Sequence, residues 1–237
     1  TKLDNFLARG GRLAIAMNRV EGNLQNAFGS EITNGLEGWL KAKGLEVEPN
    51  FVVDAKCGAV TLQQQQGFFT MQTQIAFPYL PIVGKFADHP ITSGLETVIF
   101  EFASSVKFMG DTSKRFTPLI FSSDKSNIMP APQYFDVQKQ WTEADLPLQQ
   151  IVMGAALEGK LSGNKESKLV VIADGDFPVN GAGQQPRRLQ PDNVNLLSNA
   201  IDWLSDDTGL IALRTKGVTS RPIDELEDGT KTILKYT

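Results

Sequence analysis

The sequence predicts an α/β domain that carries a β-rich insertion, and three features of its pattern support this fold class. A helical stripe of apolar residues at 32–40 is followed at once by a short strand at 45–47, which is typical of α/β units. The apolar run at 168–173 predicts a fully buried strand. Residues 59–77 alternate between polar and apolar side chains, which predicts strands with one face in water.

The elements before the insertion follow from local signals. In order, we predict a helix that ends at Gly10 and Gly11, a buried strand at 12–17, a polar loop at 18–29, a helix at 30–44, and strands at 45–47 and 51–54. Ser30 is the expected N-cap of the second helix, because its short hydroxyl can accept a backbone hydrogen bond. Gly44 is the expected end of that helix, because glycine adopts the left-handed conformation at little cost.

The remaining elements are predicted in the same way. After the hairpin or sheet edge at 59–77 we predict an ordered loop at 79–95, a long strand at 96–108, strands at 115–124 and within 146–159, the buried strand at 168–173, a helix at 192–207 and a last strand at 210–214. Asp192 is the expected N-cap of that helix. We expect one domain over residues 1–237, with the insertion at about 59–110.

Composition narrows the function. The net charge of −4 is spread along the chain, so no basic face is available for nucleic acid. One cysteine, Cys57, excludes an internal disulfide and a cysteine-based zinc site. One histidine, His89, excludes multi-histidine metal centres. The chain begins at Thr1, inside a predicted helix, so we expect it to be a piece of a longer protein.

The most suggestive chemical pattern is the pair Asp174 and Asp176, directly after the buried strand at 168–173. An apolar strand followed by D-x-D is how phosphotransferases of the haloacid-dehalogenase type begin their active site. Pro178 breaks that pattern, and too little chain follows to supply the remaining catalytic groups. We therefore interpret the two carboxylates as turn-forming residues that can touch a ligand at the carboxyl ends of the strands.

Other candidate residues are weaker. Asn18 follows the strand at 12–17 and Asp124 ends the strand at 115–124, so both are candidate ligand-binding residues beside Asp174 and Asp176. Cys57 has no helix after it of the kind that holds an amidotransferase nucleophile. His89 is expected to fix a loop by hydrogen bonding.

Two alternatives to a non-enzymatic binding module remain open. The first is a metal-dependent hydrolase or phosphotransferase that uses Asp174 and Asp176 with a divalent cation. The second is a carbohydrate-binding module, for which Trp141 is the fair candidate, because Trp39 and Trp203 lie on apolar helix faces. No cofactor and no metal site is predicted.

Several segments together resemble the extracytoplasmic GldG-type proteins, which are auxiliary subunits of ABC transport systems, including those linked to gliding motility. The segments that carry the resemblance are DNFLARGGRLAIAMNRVEG, LEGWLKAKGLEVEPNFVVDAKCG, FPYLPIVGKFADHPITSGLETVIFEFASSV, TPLIFSSDKS, KLVVIADGDF and NVNLLSNAIDWLSDDTGLIALRTKG. They cover nearly the whole chain in the family's order. The chain departs from the family at Asn18 and Arg19, where Asp-Pro is frequent, which puts the role of that acidic position in doubt.

The resemblance implies a three-layer, Rossmann-like fold of the flavodoxin and amidotransferase type, with a mostly parallel sheet and no catalytic residues. It implies a location on the periplasmic side of the inner membrane, with membrane helices outside this chain. The implied partners are an ABC transporter membrane subunit or another envelope protein, and a small molecule or saccharide as ligand.

Overall fold

The computed structural model describes residues 1–66, 69–179 and 190–206. For residues 63–66 and 69–71 it describes the backbone alone. The helices are α1 (Lys2–Ala8), α2 (Glu37–Lys43) and α3 (Pro191–Ser205). The strands are β1 (Arg12–Ala16), β2 (Val20–Asn23), β3 (Phe28–Glu31), β4 (Leu45–Val47), β5 (Asn50–Asp54), β6 (Cys57–Gln66), β7 (Phe69–Val83), β8 (Lys85–Phe86), β9 (Val98–Ile99), β10 (Val106–Phe108), β11 (Arg115–Phe121), β12 (Ser126–Pro130), β13 (Gln133–Tyr134), β14 (Val152–Gly159) and β15 (Ser167–Ile172).

The largest sheet has five strands in the order β1-β15-β14-β11-β8. β1 and β15 are parallel, with Ala14 opposite Val170. The other three pairings, β15 with β14, β14 with β11, and β11 with β8, are antiparallel. Because β14 runs opposite to both of its neighbours, the carboxyl ends of β1, β15 and β11 all lie at one edge of the sheet.

β15 is buried on both faces, and its alternating side chains divide the core in two. Val170 and Ile172 pack with Leu196 and Ala200 of α3. Leu169 and Val171 pack on the opposite face with Leu7 of α1 and Leu40 of α2. Helices therefore cover both faces of the sheet at β15, which explains why its sequence is continuously apolar rather than alternating.

Four smaller sheets surround this one. They are β6-β7-β9, β13-β3-β2, β4 with β10, and β5 with β12. Between them lies a third core, rich in aromatic rings, where Phe51 contacts Phe135 edge to face with ring centroids 5.5 Å apart. Edge-to-face contact is a favoured geometry for aromatic pairs, so this core joins strands that are distant in the chain.

The structure is thus mixed α/β with many strands in several sheets and few helices. The expectation of a mostly parallel sheet is wrong for the described residues, because one of the four pairings in the largest sheet is parallel. The cause is β14, which connects to β15 through a short turn and so pairs antiparallel with it. A Rossmann-like three-layer arrangement stays a prediction, and these pairings do not support it.

Some of the predicted helices, strands and loops are confirmed by the structure, and others are wrong. The strands at 45–47 and 168–173, the hairpin at 59–77 and the end of α2 at Gly44, with φ of 90°, are confirmed. The loop at 18–29 is wrong, because this range contains β2 and the start of β3. Ser30 lies in β3 rather than at a helix start. The last predicted strand, 210–214, lies outside the described residues.

The long strand at 96–108 is also wrong, since β9 and β10 are separate short strands. Phe102 has φ of 54°, a conformation that interrupts extended chain. The N-cap of α3 is Gln190 rather than Asp192. None of the helices among residues 1–66, 69–179 and 190–206 is both long and apolar enough to cross a membrane.

Candidate functional site

The loops that follow β1 and β15 meet at the carboxyl-end edge of the largest sheet. Asn18 lies in the first loop, and Asp174 and Asp176 lie in the second. Because β1 and β15 are parallel neighbours, both loops leave the sheet at the same edge, where open α/β sheets bind ligands. Three of the four predicted candidate residues are therefore brought together.

Asp174 is completely buried, and its carboxyl group accepts hydrogen bonds from three backbone N–H groups. Oδ1 accepts hydrogen bonds from the backbone N–H groups of Asp176 at 2.7 Å and Phe177 at 3.1 Å. Oδ2 accepts a third bond, from the N–H of Glu101 at 2.7 Å. The side chain thus closes its own turn and ties that turn to the segment after β9.

Burial raises the pKa of Asp174 to about 8, because a charged carboxylate loses its hydration there. The N–H groups of Asp176 and Phe177 act in the opposite direction, while the negative charge of Asp176 adds to the rise. A raised carboxyl pKa marks many catalytic acids, and it also arises at structural sites. Here the raised pKa follows from burial at a turn.

Asn18 joins the two loops through both ends of its amide. Its Oδ1 accepts from the backbone N–H of Gly175 at 2.6 Å, and its Nδ2 donates to Asp176 Oδ2 at 2.7 Å. Asp176 is exposed. The asparagine at this position thus places a donor beside Asp176, where an aspartate would place a second negative charge.

Arg19, the residue after Asn18, is buried. Its guanidinium forms ion pairs with Glu31 at 2.8 Å and Glu37 at 3.4 Å, and its Nε donates to the carbonyl oxygen of Val47 at 3.3 Å. These contacts connect β3, α2 and β4. Arg19 is therefore a structural residue that sequence reasoning missed, although an arginine beside a buried strand end is a signal for such a role.

Asp124 lies away from this group, at a separate pocket on the same edge. It follows β11 and forms an ion pair with Lys85 at 2.8 Å, which lowers its pKa. The pocket has a volume of about 430 Å³ and is lined by Ala55, Lys56, Ile82, Gly84, Lys85, Ser123, Asp124 and Lys125. The side chains lining it thus carry more positive than negative charge.

Asp54 fixes two residues that line this pocket, Lys56 and Ser123, by hydrogen bonds. Asp54 is fully buried at the end of β5, and it accepts from the backbone N–H of Ser123 at 2.6 Å and of Lys56 at 2.8 Å, as well as from the Ser123 hydroxyl at 2.6 Å. Sequence reasoning missed Asp54. The signal was the same as for Asp174, an aspartate directly after a buried apolar strand.

The other residues weighed from the sequence do not join either group. His89 fixes its loop, as expected, because its Nδ1 accepts from the backbone N–H of Ile91 at 3.2 Å. Burial is the main cause that raises the pKa of Cys57, so its thiol is held in the unreactive form. Trp141 packs edge to face on Tyr79 at 6.0 Å, and the ammonium of Lys139 lies 4.1 Å from its ring centre.

Metal binding has no preformed cluster in the part of the chain that the structure describes. Among those residues, no group of three or more His, Cys, Asp or Glu side chains is placed to hold a metal ion. Asp174 and Asp176 are close, but both oxygens of Asp174 accept backbone hydrogen bonds. Among the described residues, Asp174 and Asp176 therefore have no third His, Cys, Asp or Glu side chain placed to complete a metal site with them.

The fold and this edge define a mixed α/β domain whose strand-end loops are locked together by hydrogen-bonded polar side chains. The chain belongs to the family described as an ABC-type uncharacterized transport system, because the model of that family matches residues 1–206. An uncharacterized protein of Borreliella burgdorferi is 22% identical over 236 residues, which cover 93% of this chain and 45% of that protein. The chain thus spans less than half the length of this relative.

Family membership gives the coarse function, that of an auxiliary component of an ABC-type transport system. The family description names no reaction, no ligand and no partner. The finer role has to be argued from the two groups of residues at the sheet edge.

Proposed function

We propose that this chain is a non-catalytic, extracytoplasmic module of the GldG type that binds a protein partner or a small ligand for its ABC-type transport system. The observation that carries the non-catalytic part is the hydrogen bonding of Asp174. The family match supports the transport role. The extracytoplasmic location and the link to gliding motility rest on the resemblance of the sequence segments alone.

A nucleophilic or metal-binding aspartate must present a lone pair to its target. A carboxylate has about four acceptor positions, and three of those of Asp174 are taken by backbone N–H groups. The side chain is also fully buried. Asp174 is thus committed to holding the turn, which leaves Asp176 without a catalytic partner.

A metal titration separates this proposal from the alternative of a hydrolase or phosphotransferase. The melting temperature is measured in Mg²⁺ and in Ca²⁺, together with hydrolysis of p-nitrophenyl phosphate, for the wild type and for Asp176→Asn. We expect no cation-dependent shift and no hydrolysis. A site filled at a hundredfold excess over Kd would add about 2.7 kcal/mol of stability. Such a gain, lost in Asp176→Asn, would overturn the non-catalytic assignment.

We place the small ligand at the pocket beside Asp124. Its volume of about 430 Å³ lies within the range of roughly 300–1,000 Å³ of small-molecule sites. Lys56, Lys85 and Lys125 line it together with one carboxylate, Asp124. Lys85 pairs with Asp124, and Lys125 pairs with Glu143 outside the lining. An excess of positive charge in a concave site favours anionic groups, so the ligand carries a carboxylate or phosphate, as in a sugar acid or a sugar phosphate.

The pocket is tested by thermal shift with a panel of small carboxylates, sugar acids and sugar phosphates. The variant is Lys56→Gln, and the matched control is Lys41→Gln, which removes an exposed lysine from a surface ion pair with Glu46. We expect a stabilising compound whose effect is lost in Lys56→Gln and retained in Lys41→Gln. Equal shifts in both variants would show that the compound binds elsewhere.

A further inference from the structure

The hairpin of β6 and β7 forms a long two-stranded ribbon. Its regular register runs from Ala59 opposite Ala76 to Gln66 opposite Phe69. At about 3.3 Å per residue, the ribbon is on the order of 25 Å long. An isolated two-stranded ribbon is only marginally stable in water, so its length calls for additional contacts.

Both outer edges of the ribbon are open in the part of the chain that the structure describes. β7 is covered on its outer side near the base alone. It pairs there with β9 at Ile82 and Val83, and the carbonyl oxygens of Pro81 and Tyr79 accept from the N–H groups of Phe100 and Phe102, both at 3.0 Å. β6 pairs with β7 alone, so its outer edge has no strand partner over its whole length among the described residues. Three consecutive residues of β7, 72–74, are exposed, which means that both faces of the ribbon reach solvent.

Prolines lie in β7, at Pro78 and Pro81, and a register shift lies at the base between Cys57 and Ala59, but the outer edge of β6 beyond that base lacks the usual protection. Residues 57–84 contain no Asp, Glu, Lys, Arg or His, in a chain of which 21% is charged. Natural proteins protect exposed edges with charged side chains, prolines, bulges or very short strands. β6 is ten residues long and contains neither charge nor proline. An unprotected edge of this kind is a ready template for pairing with another strand.

We propose that the edge of β6 pairs with β6 of a second copy of this chain, antiparallel and around a twofold axis. Two copies of a molecule with net charge −4 repel one another, and the uncharged ribbon is a surface where that repulsion is absent. Antiparallel pairing makes two identical edges complementary, as a twofold interface requires. On β6, exposed Thr61 can both donate and accept hydrogen bonds, so it can meet a threonine of a second copy. Gln74 lies next to Thr61 on β7.

The test is the mass in solution of the wild type, of Thr61→Lys/Gln74→Lys and of the matched control Thr112→Lys/Gln140→Lys. The control makes the same two changes at exposed positions outside the ribbon. We expect sedimentation equilibrium to show the wild type and the control approaching twice 25.9 kDa with rising concentration. The ribbon variant should stay at 25.9 kDa, with an unchanged far-ultraviolet circular dichroism spectrum.

A wild type that remains monomeric at high concentration refutes the proposal. The partner of the β6 edge would then be a strand of another protein. Equal dimerisation of all three proteins refutes it as well, because the interface then lies elsewhere. A spin label at Thr61→Cys in a Cys57→Ser background locates the contact. We expect a distance between the two labels below about 30 Å, since strands pair about 5 Å apart and rise about 3.3 Å per residue. A longer distance contradicts pairing through β6.

Discussion

Replacing Asp174 by asparagine tests whether this buried carboxyl group is protonated in the folded protein near neutral pH. Burial raises its pKa to about 8 in the folded state, whereas an unfolded aspartate has a pKa of about 3.9. The folded protein then binds the proton more strongly than the unfolded chain between these values. The stability that this group contributes is complete below about pH 4 and is lost as the pH rises through about 8.

The size of the effect follows from this difference. Each pH unit between the two pKa values lowers the free energy of unfolding by at most about 1.4 kcal/mol, so the wild type loses about 2.7 kcal/mol between pH 5 and 7. Asparagine does not titrate. It has one acceptor oxygen for three backbone N–H donors, and an unpaired buried donor costs about 1–3 kcal/mol. The cost of Asp174→Asn is therefore largest at pH 5 and shrinks toward pH 8.

The assay is urea unfolding at pH 5, 6, 7 and 8, with the difference between wild type and Asp174→Asn taken at each pH. His89, whose pKa is lowered by burial, contributes the opposite slope below its ordinary pKa, and it cancels in this difference. The control is Asp176→Asn, an exposed neighbour that should retain most of the wild-type slope. A difference that is constant from pH 5 to 8 would refute the reasoning, because Asp174 would then be ionised throughout.

Three further outcomes follow from buried groups elsewhere in the chain. Arg19→Met should lower the free energy of unfolding by about 2–4 kcal/mol, since it removes a buried guanidinium together with its bond to the Val47 carbonyl oxygen and its ion pairs with Glu31 and Glu37; Lys41→Met, at a surface pair, should cost less than about 1 kcal/mol in the same urea titration. Asn193→Ala should cost about 2–4 kcal/mol, because it removes three hydrogen bonds that dock α3 on the chain; a cost below that of Lys41→Met would contradict this docking role. The half-buried Cys57 thiol, with its pKa raised by burial, should react with iodoacetamide at pH 7 more slowly than in urea, and equal rates would contradict the raised pKa.

The sequence predicted elements where periodic burial dominates, and it failed where pairing depends on distant strands. β15 reads as a buried strand because helices cover both of its faces. The same apolar run is compatible with parallel and with antiparallel neighbours, so the antiparallel position of β14 was not visible. β2 and β3 are short and polar, and their pairing with each other and with β13 leaves no hydrophobic period in the sequence.

The site was partly predictable for a related reason. Asn18, Asp174 and Asp176 each follow a strand that the sequence shows, and the parallel pairing of β1 with β15 brings them together. Asp124 follows such a strand too, but β14 separates β11 from β15, so it belongs to a different pocket. Only the order of strands in the sheet distinguishes these cases, and that order is set by the packing of the whole chain.

The most direct test of the central claim, an auxiliary role in an ABC-type transport system, is purification of the tagged protein from detergent-solubilised membranes. We expect the ATPase and the membrane subunit of one ABC-type transporter to co-purify in amounts comparable to the tagged protein. Association should survive Asp176→Asn, because the role proposed for this chain is non-catalytic. Recovery of the tagged protein from membranes without any ABC transporter subunit would contradict the account.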